Sequence, residues 1–167
     1  MAALIVPDPT PDLEAVVRVA GEHGIAVILA GDAGEAPRTD GVQVRAGADI
    51  AALRERHPIV GINGVESRHE AMTAAEQDPD YLFFGRLAGR EAAAPHPAAR
   101  ALAGWWAEIA VVPAVLMGGT DLASVESVAA HGIEFVALRE AVWADPRGPA
   151  AAVRDANAVL ERRGAAA

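Results

Sequence analysis

Residues 111–138 constrain the fold of this chain more than any other stretch. They read Val-Val-Pro-Ala-Val-Leu-Met-Gly-Gly-Thr-Asp-Leu, then an amphipathic run, then Gly-Ile-Glu-Phe-Val-Ala-Leu. An apolar strand ends in Gly118-Gly119, a helix follows with Thr120 or Asp121 as its natural N-cap, and a second apolar strand comes about 15 residues later. This is a βαβ unit with a glycine pair at the carboxyl end of its first strand. Glycines there let backbone N–H groups approach an anion, and nearby helix starts add positive dipole ends. In (β/α)8 barrels a substrate phosphate sits at this place, late in the strand order.

The same unit recurs along the chain. Strands are expected at Ala3–Val6, Ala26–Ala30, Gly41–Val44, Ile59–Ile62, Asp80–Gly85, Ala114–Met117 and Phe135–Leu138. Most are short and rich in Val, Ile or Leu, the pattern of parallel strands covered on both faces. Helices are expected at Asp12–His23, Asp49–Arg56, Ser67–Gln77, Ala98–Ile109, Asp121–Ala130 and Pro149–Arg163. Ser67 with Glu70 three residues later has the spacing of a capping box. Seven βα units of one spacing class imply a parallel sheet, either barrel or doubly wound. Residues 1–163 read as a single domain, with 164–167 a frayed tail. The stretch Leu87–Pro97 has no period and reads as a mobile βα loop over the active face of such a sheet.

Composition excludes several functions. All 14 basic residues are arginine, so any mechanism that requires a lysine ammonium is ruled out. No cysteine is present, which removes disulfides, thiolate metal sites and thiol catalysis. The formal charge of −9 argues against nucleic acid as a partner, because a basic stripe is missing. No apolar run approaches the ~18 residues of a membrane span, and no signal peptide is visible, so the cytoplasm is expected. Neither GxGxxG nor GxxxxGK[ST] occurs, which removes the usual nucleotide-binding signatures.

With the strands placed, the chain resembles the thiamine phosphate synthase/TenI family of (β/α)8 barrels. The resemblance rests on Ile59-Val-Gly-Ile, Ser67-Arg-His-Glu-Ala-Met, Asp80-Tyr-Leu-Phe-Phe-Gly, Trp105-Trp106, Val112-Pro-Ala-Val-Leu-Met-Gly-Gly, Phe135-Val-Ala-Leu and Val142-Trp-Ala-Asp-Pro-Arg-Gly-Pro. It begins at the family's second strand. The fold it implies is a TIM-type (β/α) barrel, incomplete, with about seven βα units rather than eight. Such enzymes join an aminopyrimidine diphosphate to a thiazole phosphate and release pyrophosphate. Magnesium and basic side chains stabilise the departing charge.

The departures from the family pattern fall at the functional strand ends. Where Asn-Asp is expected, the chain has Gly31-Asp32. Where Gly-Val-His-x-Gly-Gln-x-Asp is expected, it has Gly41-Val-Gln-Val-Arg-Ala-Gly-Ala-Asp49, with Gln43 for the histidine. The Thr-x-Thr-Lys loop is replaced by Arg86-Leu-Ala-Gly-Arg-Glu-Ala-Ala-Ala. Arg139-Glu140 replaces small hydroxyl residues that accept a phosphate. Gly118-Gly119 survives.

Carried onto these residues, the resemblance implies Mg2+ at Asp32 and Asp49 if the chain is catalytic. Arg86 or Arg90 would stand in for the lysine, and Gly118 and Gly119 would hold phosphate. Each has a plainer reading. Asp32 can cap the turn Gly-Asp-Ala-Gly, and Asp49 can cap the next helix. Two glycines can form a tight βα turn. Arg86, Arg90 and Arg139 form a candidate anion-binding set, with Glu91 and Glu140 as obvious salt-bridge partners. His23, His57, His69, His96 and His131 lack metal-ligand spacing and read as surface residues. Trp105, Trp106 and Trp143 read as packing anchors.

Two classes of function follow. One is a synthase, or a protein of that type with reduced or lost activity. The other is a non-catalytic paralogue that binds a small phosphorylated heterocycle or a partner, with a TenI-like thiazole isomerase as a further reading. Seven strands leave an edge on Ala3–Val6 and another on Phe135–Leu138, so a homo-oligomer is expected to cover the seam, including Leu4, Ile5 and Trp143.

Overall fold

The computed structural model describes residues 1–7, 10–31 and 39–164. Its centre is a seven-stranded sheet whose strands lie in chain order: β1 (Ala3–Val6), β2 (Ala26–Ala30), β3 (Gly41–Arg45), β4 (Ile59–Asn63), β5 (Tyr81–Phe84), β6 (Ala114–Met117) and β7 (Phe135–Ala137). Every pairing is parallel. Parallel neighbours require a crossover, and helices supply five of the six: α1 (Leu13–Glu22), α2 (Ile50–Arg54), α3 (Arg68–Ala75), α4 (Pro97–Ile109) and α5 (Ala123–Ala129). After β7 come α6 (Glu140–Trp143) and α7 (Pro149–Gly164). The sheet curls as a half-barrel. Among the described residues, β7 does not pair with β1, so the barrel stays open between them.

Strands β1, β2 and β6 have their expected bounds, and β3 and β4 each run one residue further. Strand β5 is shorter because Gly85, at φ +104°, turns the chain out of the ladder. The capping box forms: Glu70 N–H donates to Ser67 Oγ at 3.2 Å, and Ser67 N–H to Glu70 Oε2 at 3.1 Å. Helix α5 starts later than expected. Asp121 Oδ1 accepts from Ala123 N–H at 2.9 Å, so it organises the first turn from two residues ahead. The short α6 has too few residues to show a period and was absent from the sequence reading.

Alternation sorts the strand residues into two layers. Val42, Val60, Ile62, Leu82, Phe84 and Leu116 pack under the helices with Ala71, Ala103 and Trp106. Trp106 is buried, and its indole N–H donates to Val112 O at 2.8 Å. Two expectations about individual side chains are corrected here. Trp143 is 60% exposed, because the four-residue α6 turns Ala141 and Val142 inward instead. His57 is buried rather than on the surface. The chain turns back from α2 into β4 at once, with His57 N–H bonded to Leu53 O at 2.9 Å, and this turn carries the imidazole out of solvent.

At the amino ends of the strands an acidic residue recurs immediately before β3, β5 and β7. Asp40 Oδ2 accepts from Val27 N–H at 2.8 Å, Asp80 Oδ2 from Val60 N–H at 2.7 Å, and Glu134 Oε2 from Ala114 N–H at 3.0 Å. Each carboxylate therefore clamps the strand before its own. Asp80 grips Val60 twice, since its own N–H donates to Val60 O at 2.8 Å. Val60 is fully buried. Asp80→Ala leaves the Val60 N–H without its carboxylate acceptor and is expected to cost about 1–3 kcal/mol, read as a lower urea midpoint. An unchanged midpoint would show that the clamp carries no stability.

Candidate functional site

Because all strands are parallel, their carboxyl ends share one end of the sheet, where ligands bind in open and closed α/β sheets alike. Gly118, Gly119 and Arg139 lie there, at the ends of β6 and β7, and so does the segment 86–97 that follows β5. The structure joins them tightly. Arg139 Nη1–H donates to Leu87 O at 2.8 Å and Nη2–H to Gly89 O at 2.5 Å. Its Nε lies 2.5 Å from Glu91 Oε1, and Nη2 lies 3.6 Å from Glu140 Oε1. The Glu91 side chain is only 7% exposed, and its Oε2 accepts from Glu140 N–H at 3.3 Å. Glu91 is thus the close partner of Arg139, and Glu140 the distant one.

The amides after β6 are also taken. Gly118 N–H donates to Ala137 O at 2.8 Å and Gly119 N–H to Ser124 Oγ at 3.1 Å. Thr120 N–H donates to Ala92 O at 2.9 Å and Asp121 N–H to Ala93 O at 3.2 Å. A Cβ on Gly119 would run into the Ala93 carbonyl, and one on Gly118 would lie 2.7 Å from Leu138 Cδ2. The missing side chain at Gly119 makes room for the backbone of segment 86–97. That segment is held by side-chain and backbone bonds on both flanks, unlike the loose loop its composition suggested.

The side chains of the other expected residues take no part in these bonds. Arg86 is exposed and reaches Glu66 at 3.9 Å. Arg90 is exposed and forms no ion pair among the described residues. Asp49 caps α2, its Oδ1 accepting from Ala52 N–H at 3.1 Å. Asp32 lies outside the described residues. Magnesium needs near-octahedral oxygen donors, supplied by one or two carboxylates together with water and phosphate. The described residues hold no group of three or more His, Asp or Glu that could bind a metal, and Asp49 already gives one oxygen to its helix.

On the concave face a row of three residues crosses β3, β4 and β5. Gln43 is in register with Gly61, and Gly61 with Tyr81. The Tyr81 ring lies across Gly61, where any Cβ would collide with it, and its hydroxyl donates to Gln43 Oε1 at 2.8 Å. Burial, with the nearby Asp80 charge, pushes the phenol above its ordinary range, so it remains a donor at neutral pH. Gln43 Nε2 is buried without a hydrogen-bond partner among the described residues. In the sequence Gln43 stands out only as the residue at the family's histidine position. The row depends on the register of three strands, which a single strand's pattern does not reveal. Ser124 was also missed, although its place in the first turn after the glycine pair was a usable signal.

Taken together, this is an α/β protein of the parallel-barrel type whose carboxyl end is built around an arginine and a glycine pair. The family model for thiamine monophosphate synthase matches residues 10–142, and the chain belongs to that family. A thiamine-phosphate synthase from Rhodospirillum centenum is 35% identical over 128 residues, 72% of this chain and 61% of that protein. One from Hyphomonas neptunium is 34% identical over 157 residues, 88% of this chain and 70% of that one. The chain therefore spans a little under two thirds of the first relative and somewhat more of the second. Among solved structures, a thiamine phosphate pyrophosphorylase from Pyrococcus furiosus matches with a TM-score of 0.72 at 21% identity, over 96% of this chain and 82% of that one.

Arg139 ties three acceptors of segment 86–97 together, so its removal strands a mostly buried carboxylate. Arg139→Ala is expected to cost about 1–3 kcal/mol, reduced from a fully buried pair by the exposure of the guanidinium. Arg139→Lys should restore little, because one ammonium cannot reproduce the planar fork. Thermal unfolding of both variants checks this. An alanine variant as stable as the parent would deny the anchoring role.

Proposed function

We propose that this chain is a diverged member of the thiamine monophosphate synthase family that binds a small phosphorylated heterocycle and has reduced or lost synthase activity. The observation that carries the reading is the occupancy of its anion-binding groups. Arg139 and the amides of Thr120 and Asp121 are engaged by the chain's own segment 87–93. The absence of lysine supports it further, since a departing pyrophosphate would find only arginines. Loss of one preorganised donor costs about 10²–10³ in rate. Gly118, Gly119, Arg86, Arg90 and Arg139 remain the groups proposed for the phosphate, and Asp32 and Asp49 the carboxylates proposed for Mg2+ if the chain is catalytic.

Formation of thiamine phosphate from the aminopyrimidine diphosphate and thiazole phosphate is expected to be at least about a hundredfold slower than by the Rhodospirillum centenum relative under matched conditions. Calorimetric titration with thiazole phosphate is expected to give the same affinity with Mg2+ as with a chelator. Turnover equal to the relative's, with metal-dependent pyrophosphate binding, would replace this reading with that of an active synthase.

We also propose that the protein is a homodimer, placed in the cytoplasm. The support is apolar surface at both open edges. Met1, Leu4, Val16, Val19 and Ile25 line a groove beside β1, while Phe135 is 46% and Trp143 60% exposed beside β7. No helix among the described residues is long and apolar enough to cross a membrane. A second copy would cover these edges in a two-fold contact. Light scattering at micromolar concentration is expected to give twice the chain mass. A folded monomer would refute it.

A further inference from the structure

We propose that segment 86–97 is an autoinhibitory strap, in which Glu91 acts as an internal anion that keeps the carboxyl end of the sheet shut until an external phosphate-class anion displaces it. The strap is fastened at two places. On the β7 side, Arg139 holds Leu87 O, Gly89 O and the Glu91 carboxylate. On the β6 side, Thr120 N–H and Asp121 N–H hold Ala92 O and Ala93 O. Glu91 is the last residue of the first fastening and directly precedes Ala92 and Ala93 of the second, so its buried carboxylate holds the chain where the two meet. The groups that bond the strap are donors, one guanidinium and the backbone N–H groups of residues 120, 121 and 140, with the Glu140 carboxylate beside them as an acceptor. A segment of the chain offers them a carboxylate and four carbonyls, a set of acceptors such as a phosphate would also present.

The composition of the strap suits release as well as closure. Its contacts are polar and few, and Ala92, Ala93 and Ala94 are exposed with no side chain inserted in the core. Pro95 is buried and Pro97 starts α4, so the carboxyl end of the strap is fixed while its middle is held only by hydrogen bonds and one ion pair. Segments secured in this way open at low cost relative to the sheet beneath them. Gly119 permits the close approach, because a side chain there would meet the Ala93 carbonyl. Glu140 is half-exposed and adds a second, weaker hold on Arg139 at 3.6 Å. Phosphate must therefore outcompete Glu91 above all.

The inference does not use the family's reaction, and its test follows the strap rather than turnover. Hydrogen exchange is measured at the Thr120 and Asp121 amides in the full chain and in Glu91→Gln. The variant is expected to exchange about tenfold faster at both, the scale of one hydrogen bond to a charged group, with the β4 amides unchanged. Trypsin gives a second readout, since the chain has no lysine and Arg90 lies within the strap. Cleavage after Arg90 is expected to accelerate in Glu91→Gln, and in the parent chain when millimolar inorganic phosphate or pyrophosphate is added. Unchanged exchange and cleavage in a folded Glu91→Gln would overturn the strap. Opening by the substitution but not by either anion would overturn the autoinhibition, leaving Glu91 a structural ion pair. A chain that makes no thiamine phosphate can give any of these results, so the two proposals fail separately.

Discussion

Parallel pairing in strict chain order is the constraint on which the rest of this structure depends. A parallel neighbour can be reached only through a crossover, and the crossovers share one hand. Repeating that step along the chain collects every strand's carboxyl end at one end of the sheet. Arg139 and Leu87 are 52 residues apart in sequence, yet their hydrogen bond is a local event at that end. No special long-range attraction needs to be invoked for the meeting of the glycine pair, the arginine and the strap. The topology brings their backbones near, and short polar contacts complete the arrangement.

The sequence was most legible where packing is repetitive. Short apolar runs, most of them rich in Val, Ile or Leu, mark the seven strands, since a strand buried on both faces has no polar alternation to confuse with a loop. Ser67 and Glu70 marked the start of α3 by local chemistry alone. Three kinds of feature stayed hidden. The short α6 lacks a period. The burial of His57 depends on how abruptly α2 returns to the sheet. The row Gln43–Gly61–Tyr81 depends on three strands in register, with one glycine making room for a ring. At the site, the residue types were visible but their engagement was not. Glu91 appeared as one partner of Arg139 among others, and only the fold shows that it is buried and that its neighbours close over the glycine pair.

The family relationship and the departures from the family pattern concern different layers of the molecule. Residues of the stretches that carry the resemblance, Val60, Ile62, Leu82, Phe84 and Leu116 among them, fill the space between sheet and helices. The replaced residues stand at strand ends, where Arg139-Glu140 and the alanine-rich strap now meet. A barrel framework tolerates this because its core does not extend into the loops.

The three carboxylate clamps help explain how such divergence stays affordable. They sit at the amino ends of the strands, at ladders of only two or three registered residue pairs between β2 and β3, β4 and β5, and β6 and β7. Side chains there supply cohesion that the short backbone ladders lack. The molecule is in effect polarised, with its insurance against unfolding at one pole and its chemistry at the other. Substitutions at poles that share no partners combine additively in free energy. A lineage carrying this fold can therefore rewrite its ligand-facing rim, replacing one strap with another, without renegotiating the bonds that keep the sheet together.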